Sequence, residues 1–275
     1  MNAIVLSLLV ASLPGAAAAG YSADQLVSVG KAYADKGQDD KAIATLTEAL
    51  AGKPKAAAEA EYLLGLCLSR KGDLAAAAAH LEKSTALDPK RYDAWLLLGM
   101  TRDLKKDAAG AAEAYRQAIA ASPERPEAHK ELGTTLLLLG KPEEAIAELS
   151  AALKIAPFQT EILGELGYAQ LLAKKCEQAA ATLSRAASTD RKNPDTFAHL
   201  GDARACLGST DQAIAAYEQA VALAPDHARA QFHLGLMQMK KGEKAKARQA
   251  LEKARQLDPD NPKIGQALDR LGTKR

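Results

Sequence analysis

Residues 92–123 read YDAWLLLGMTRDLKKDAAGAAEAYRQAIAASP. This stretch predicts two helices that are joined by a short charged turn and ended by a proline. Counted from Tyr92, it has Gly99 at position 8, Ala111 at position 20 and Pro123 at position 32. The same marks recur along the chain at steps of 34 residues, apart from a first step of 35. A fixed period of this length indicates a tandem array of one helical hairpin.

Three positions of the period keep their residue type in nearly every copy. Position 8 is Gly30, Gly65, Gly99, Gly133, Gly167, Gly201 and Gly235; position 20 is Ala42, Ala77, Ala111, Ala145, Ala179, Ala213 and Ala247. Position 32 is Pro54, Pro89, Pro123, Pro157, Pro225 and Pro259, with Arg191 in the fifth copy. Small residues allow two helix backbones to approach closely, and proline stops a helix. The pattern therefore predicts closely crossed hairpins that are separated by breaks.

This pattern resembles the tetratricopeptide repeat (TPR) family. The resemblance implies an all-α fold, a right-handed superhelical α-solenoid of seven helix-turn-helix repeats at residues 22–261. A single hairpin cannot bury its apolar face alone, so the ends of such an array need caps. Asn261 and Pro262 are typical of a helix start, and Ile264, Leu268 and Leu271 form one apolar stripe after them. We expect a C-terminal capping helix and tail at residues 262–275.

The first residues differ in kind from the repeats. Residues 1–19, MNAIVLSLLVASLPGAAAA, contain an apolar run followed by a small-residue cleavage pattern at Ala17 and Ala19. The run predicts a cleaved signal peptide and an exported, periplasmic protein of a bacterial envelope. An uncleaved membrane anchor and a merely apolar cytosolic leader are the alternatives, since no Lys or Arg precedes the run. Ser22 and Gln25 form a capping-box pattern directly after it.

The chain carries no sequence motif of catalysis. It has no glycine-rich phosphate loop, no H-E-x-x-H motif and no paired-cysteine metal signature. We therefore expect no enzyme activity, no cofactor and no metal site. His199 and His233 share position 6 of adjacent repeats, and we interpret them as scattered surface or groove histidines.

Three cysteines are present. Cys67 lies at position 10 of repeat two, where a small buried thiol fits the hairpin interior. Cys176 begins the second helix of repeat five, and Cys206 ends the first helix of repeat six. A disulfide between Cys176 and Cys206 can form if the chain reaches an oxidising compartment. Isolated thiols are the alternative.

In the TPR family the first helices line a concave groove, and positions 2, 5, 9, 12 and 13 face it. By this resemblance the predicted groove residues of the chain are Tyr62, Leu66, Leu96, Met100, Leu104, Leu137, Leu138, Tyr168, Leu171, Leu172, Phe232, Leu236 and Met239. The four leucines at 136–139 point all round one helix turn, so at least one faces away from its own hairpin. An apolar strip of this kind typically marks a partner site. The alternatives are that the mapping is shifted by one, so that these side chains are core, or that the superhelix closes on itself.

Two functions fit this sequence. The first is a protein-protein interaction scaffold or adaptor that binds an apolar peptide or amphipathic helix in its groove. The second is a structural protein whose array self-associates as a homo-oligomer. TPR domains that clamp a terminal carboxylate have Lys and Asn at positions 5 and 9 of their first repeat, whereas this chain has Val27 and Lys31 there. A carboxylate-binding adaptor is therefore disfavoured.

Charge is unevenly spread along the chain. Residues 240–275 hold 11 Lys or Arg against 5 Asp or Glu, although the whole chain has a formal charge of only +2. This basic C-terminal end can meet an anionic surface peripherally, or it can simply be soluble. No aromatic residues are interleaved with the basic ones, so we expect no nucleic-acid partner.

Overall fold

The computed structural model describes residues 20–272. The predicted signal peptide at residues 1–19 lies outside the described residues. The described part of the chain forms fifteen α-helices and no strand. They are α1 (Ala23–Asp35), α2 (Asp39–Ala51), α3 (Ala57–Arg70), α4 (Leu74–Leu87), α5 (Tyr92–Leu104), α6 (Ala108–Ala121), α7 (Pro126–Leu138), α8 (Pro142–Ile155), α9 (Thr160–Leu172), α10 (Cys176–Thr189), α11 (Pro194–Cys206), α12 (Thr210–Leu223), α13 (Ala228–Lys241), α14 (Lys244–Leu257) and α15 (Pro262–Gly272).

The helices belong to two compact units. Unit 1 ends at Leu139 and contains α1 to α7; unit 2 begins at Gly140 and contains α8 to α15. The boundary falls in the turn of repeat four, between its first and second helices. Within each unit, consecutive hairpins pack side by side. The prediction of an all-α array of seven hairpins with a final capping helix is confirmed.

Side-chain caps mark the start of several helices. The Ser22 hydroxyl accepts a hydrogen bond from the Gln25 amide at 3.3 Å, and the Gln25 side chain accepts one from the Ser22 amide at 2.7 Å. The capping box predicted at the start of α1 is therefore present. Asp73 and Asp107 cap α4 and α6 in the simpler way, each accepting from a backbone amide three residues on.

The hairpin core forms where position 8 of the first helix meets position 24 of the second helix, as Gly65 and Leu81 do in repeat two. A Cβ atom placed on Gly65 of α3 would lie 2.5 Å from Cγ of Leu81 on α4, so a larger residue has no room at this crossing. Leu64, beside this glycine, and Leu81 itself are almost fully buried. Removing such side chains from water provides the main favourable free energy of each hairpin. The small residues at position 8 thus set how closely the two helices pack.

The last helix closes unit 2. Ile264, Ala267 and Leu268 of α15 are buried in one cluster with Leu251 and Ala254 of α14. The opposite face of α15 is exposed. One apolar and one polar face suit a helix that caps an array of repeats.

Candidate partner-binding surface

The predicted groove residues lie outside the fully buried core. In unit 1, Met100, Leu104 and Leu138 are exposed by 44%, 65% and 75%. In unit 2, Leu172 is exposed by 46%. The remaining nine are partly buried: Tyr62, Leu66, Leu96, Leu137, Tyr168, Leu171, Phe232, Leu236 and Met239. The exposed members cluster at positions 9 and 13 of the first helices.

The first helix of repeat three shows how one sequence serves two faces. Leu98 and Thr101 of α5 are buried in the hairpin, whereas Met100 and Leu104 are exposed and lie one helical turn apart. Residues four apart share a face of a helix. Methionine and leucine therefore form an apolar strip that the hairpin core does not use.

Other predicted groove residues are partly covered: Tyr62, Leu96 and Leu171 pack against buried clusters of their own unit, and the end of unit 2 is a further case. Phe232, Leu236 and Met239 of α13 pack against the buried cluster that α15 completes. Their apolar surface is therefore partly covered by the chain's own last helix. The sequence analysis grouped these three residues with the other groove residues, because the position of a residue within the repeat does not show which helix packs next to it.

A cavity of about 310 Å³ opens between α9 and α11 in unit 2. It is lined by Thr160, Glu161, Gly164, Glu165, Tyr168, Asp190, Asn193, Asp195, Thr196 and His199. The ring of Tyr168 stacks on His199, with 4.6 Å between centroids. Burial lowers the pKa of His199 to about 4, and the neighbouring Arg229 cation acts in the same direction. His199 is therefore a neutral, stacked side chain near neutral pH, rather than the scattered residue that its sequence position indicated.

The turns inside the hairpins reveal a feature that the sequence analysis missed. Position 15 has a left-handed backbone in all seven repeats. It is Gly37, Gly72, Gly140, Gly208 and Gly242 in five repeats, but Lys106 (φ 64°) in repeat three and Lys174 (φ 59°) in repeat five, so all seven repeats have positive φ there.

The cysteines lie as follows. Cys176 and Cys206 are joined as a disulfide, with their Cα atoms 6.0 Å apart, a separation within the usual range for such a bond. Both belong to unit 2. Cys67 is a free, buried cysteine in unit 1, and burial raises the pKa of its thiol to about 12.

Within residues 20–272, none of the helices is long and apolar enough to cross a membrane. No group of three or more His, Cys, Asp or Glu residues in this range could hold a metal ion. Near the basic C-terminal end, Lys241 lies 2.8 Å from Asp211 and 3.0 Å from Glu243, which offsets part of the positive charge.

Known proteins share the repeats and the fold of this chain. Sequence models of the tetratricopeptide repeat match residues 29–92, 68–126 and 200–262, and a second model of the same repeat matches residues 104–164. No curated protein matches the chain. Among solved structures, MamA is similar with 28% identity and a TM-score of 0.56, over 60% of this chain and 97% of that one.

Two other solved structures share the fold. The first is YrrB, described as a TPR protein with an unusual peptide-binding site, with 23% identity, a TM-score of 0.62, and coverage of 67% of this chain and 95% of that one. The second is the C-terminal part of a TPR repeat-containing protein from Cytophaga hutchinsonii, with 17% identity and a TM-score of 0.69. That alignment covers 88% of this chain and 99% of the other.

Proposed function

We propose a function from the premise that this chain belongs to the tetratricopeptide repeat family. The chain is a non-enzymatic scaffold that binds the apolar face of a partner peptide or helix. Its fold supports a protein-protein interaction scaffold. The observation that carries the finer proposal is the exposure of Met100, Leu104 and Leu138 on first helices of unit 1. Large apolar side chains that the core does not use typically mark a binding surface.

The energy available from these side chains is sufficient for a reversible complex. Fully burying one leucine or methionine contributes about 1.5–3 kcal/mol. Association and the ordering of a partner segment cost several kcal/mol in return. Three or four such anchors therefore give roughly micromolar affinity.

The test separates binding residues from folding residues. Met100→Glu and Leu138→Glu place a charge on an exposed side chain, so we expect weaker partner binding with an unchanged melting temperature. Leu98→Ala is the matched control, because Leu98 lies on the same helix as Met100 but is only 1% exposed. We expect this control to lower the melting temperature strongly. Affinity purification from the native cell and thermal unfolding should be measured for all three variants.

Two results would contradict the proposal. If Met100→Glu and Leu138→Glu melt as early as Leu98→Ala, the exposed residues belong to the core. If they melt normally and retain every partner that the wild-type chain retains, the binding surface lies elsewhere.

A structural, self-associating protein is the second candidate. The same exposed leucines would then be covered by another copy of the chain. A similar contact exists within the chain, because Phe232 and Leu236 pack against the cluster that α15 completes. The molecular mass in solution, measured over a range of concentrations, decides between the two candidates. If the protein stays monomeric at every concentration, its exposed leucines are not covered by another copy.

Export is part of the proposal. The apolar leader and the small residues Ala17 and Ala19 support it. We expect the mature protein to begin near Gly20, which N-terminal analysis of native material can establish. A retained Met1 in a soluble cytosolic fraction would contradict export.

A further inference from the structure

The turns that follow two of the exposed leucines, Leu104 and Leu172, are basic. In repeat three, Lys105 and Lys106 follow Leu104 directly. In repeat five, Lys174 and Lys175 follow Leu172 after one alanine. All four lysines are exposed. Each unit therefore carries one place where an exposed leucine at position 13 is followed, within three residues, by two exposed lysines.

These four ammonium groups form no ion pair within residues 20–272. Lysines in the turns of other repeats do have partners: Lys71 with Asp40, Lys141 with Glu144 at 2.9 Å, and Lys241 with Asp211 at 2.8 Å. The positive charge at the turns of repeats three and five is thus not held in an ion pair within the described residues.

The backbone at these turns has an energetic cost. Lys106 and Lys174 adopt φ values of 64° and 59°, in the left-handed region that suits glycine. Five other repeats have glycine at this position. A side chain in that conformation is strained, and such strain is concentrated at functional positions. The chain therefore places lysine where glycine would favour the fold.

We propose that these turns select the partner by charge: each leucine-lysine turn binds an amphipathic helix that carries leucine-type residues on one face and Asp or Glu beside them. The inference rests on the proposed function and narrows it. The leucine supplies apolar burial, and the lysine pair supplies attraction to carboxylates, which increases the association rate and discriminates against basic partners.

The experiment uses the full-length protein and two synthetic helical peptides. Both peptides have leucines at every third or fourth position; the flanking residues are glutamates in one peptide and lysines in the other. We expect the acidic peptide to bind at least tenfold more tightly at low salt, and the difference to shrink as salt screens the charges.

The decisive variants replace the strained lysines. In the double variant Lys106→Gly and Lys174→Gly we expect affinity for the acidic peptide to fall about fivefold, because two exposed charges are lost. Melting temperature should stay equal or rise, since glycine fits the backbone. Lys53→Gly is the matched control: Lys53 is exposed and has φ 52°, but it lies between α2 and α3, away from the leucine-lysine turns. It should leave peptide binding unchanged.

Each outcome has a distinct meaning. Equal binding of both peptides overturns the charge inference and leaves the proposed function standing. If neither peptide binds, both the charge inference and the proposed function are wrong. Vesicles of phosphatidylcholine with one-quarter phosphatidylglycerol provide the last comparison. If the lysine variants lose vesicle binding while the acidic peptide never binds, the turns face a membrane surface and the partner proposed here is wrong.

Discussion

Gly201 and the ring of Tyr217 meet so closely that a Cβ atom on Gly201 would lie 2.6 Å from Cε1 of the ring. The ring cannot easily move away. Its hydroxyl donates a hydrogen bond to Asp202 at 2.6 Å, and the other oxygen of this carboxylate lies 3.3 Å from Arg229. The crossing of α11 and α12 is therefore held at a separation that only glycine permits.

This contact predicts opposite effects for two similar substitutions. Gly201→Ala should destabilise the protein by about 1–3 kcal/mol, because the added methyl group overpacks the crossing. Gly164→Ala is the control, also in a first helix: the nearest atom to its added Cβ is Thr196 Oγ1 at 3.8 Å, an ordinary contact. Alanine there should stabilise the helix by about 0.5–1 kcal/mol. Denaturant unfolding of both variants measures the difference.

If Gly201→Ala is as stable as the wild-type chain, the crossing can relax and glycine is not required at position 8. If Gly164→Ala is destabilised as well, a general effect of alanine, rather than the Tyr217 contact, explains the loss.

The fold was predictable because it repeats. Gly99, Ala111 and Pro123 would be weak signals in one copy, but seven copies at one spacing fix the helices and their turns. The last helix was also predictable, because Pro262 and the stripe of Ile264 and Leu268 define its start and its buried face.

The surface was only partly predictable. Met100 and Leu236 both lie at position 9 of their repeats, yet Met100 is 44% exposed, whereas Leu236 is partly buried against the cluster formed by α14 and α15. Which hairpin follows decides this difference, and one repeat does not encode it. The left-handed backbone at Lys106 and Lys174 could have been found by aligning both with the glycines of the other turns.

The cysteines predict a redox pattern. In protein isolated from an oxidising compartment, non-reducing peptide mapping should find Cys176 linked to Cys206, whose Cα atoms lie 6.0 Å apart. Cys67 should react with an alkylating reagent only after unfolding, because it is buried and its pKa is raised to about 12. The bond joins residues 30 apart, so its reduction should lower stability by about 3.6 kcal/mol in the chain-entropy model.

The variant Cys176→Ser with Cys206→Ser is the control, since it should melt like the reduced protein whether or not a reductant is present. Three free thiols in protein from that compartment would contradict the disulfide, and rapid alkylation of folded Cys67 would contradict its burial.

His199 predicts how stability depends on pH. Its pKa is about 4 in the folded protein because it is buried against Tyr168, whereas an unfolded histidine titrates near 6.5. Between these values the unfolded chain binds a proton that the folded chain does not. The free energy of unfolding therefore decreases as the pH falls through this window, by about 2 kcal/mol between pH 7 and pH 5. Burial also lowers the pKa of His233, which acts in the same direction.

His199→Phe tests this linkage, because phenylalanine keeps a flat ring beside Tyr168 but cannot be protonated. Urea unfolding at several pH values should show a steep loss of stability for the wild-type chain below about pH 6.5 and a shallower loss for the variant. His227→Phe is the control: this histidine lies outside the stack with Tyr168, and its Nε2 atom is 3.1 Å from Asp195, so its removal should not flatten the profile. If His199→Phe and wild type lose stability in parallel, His199 is protonated in the folded protein and does not pack as a neutral ring.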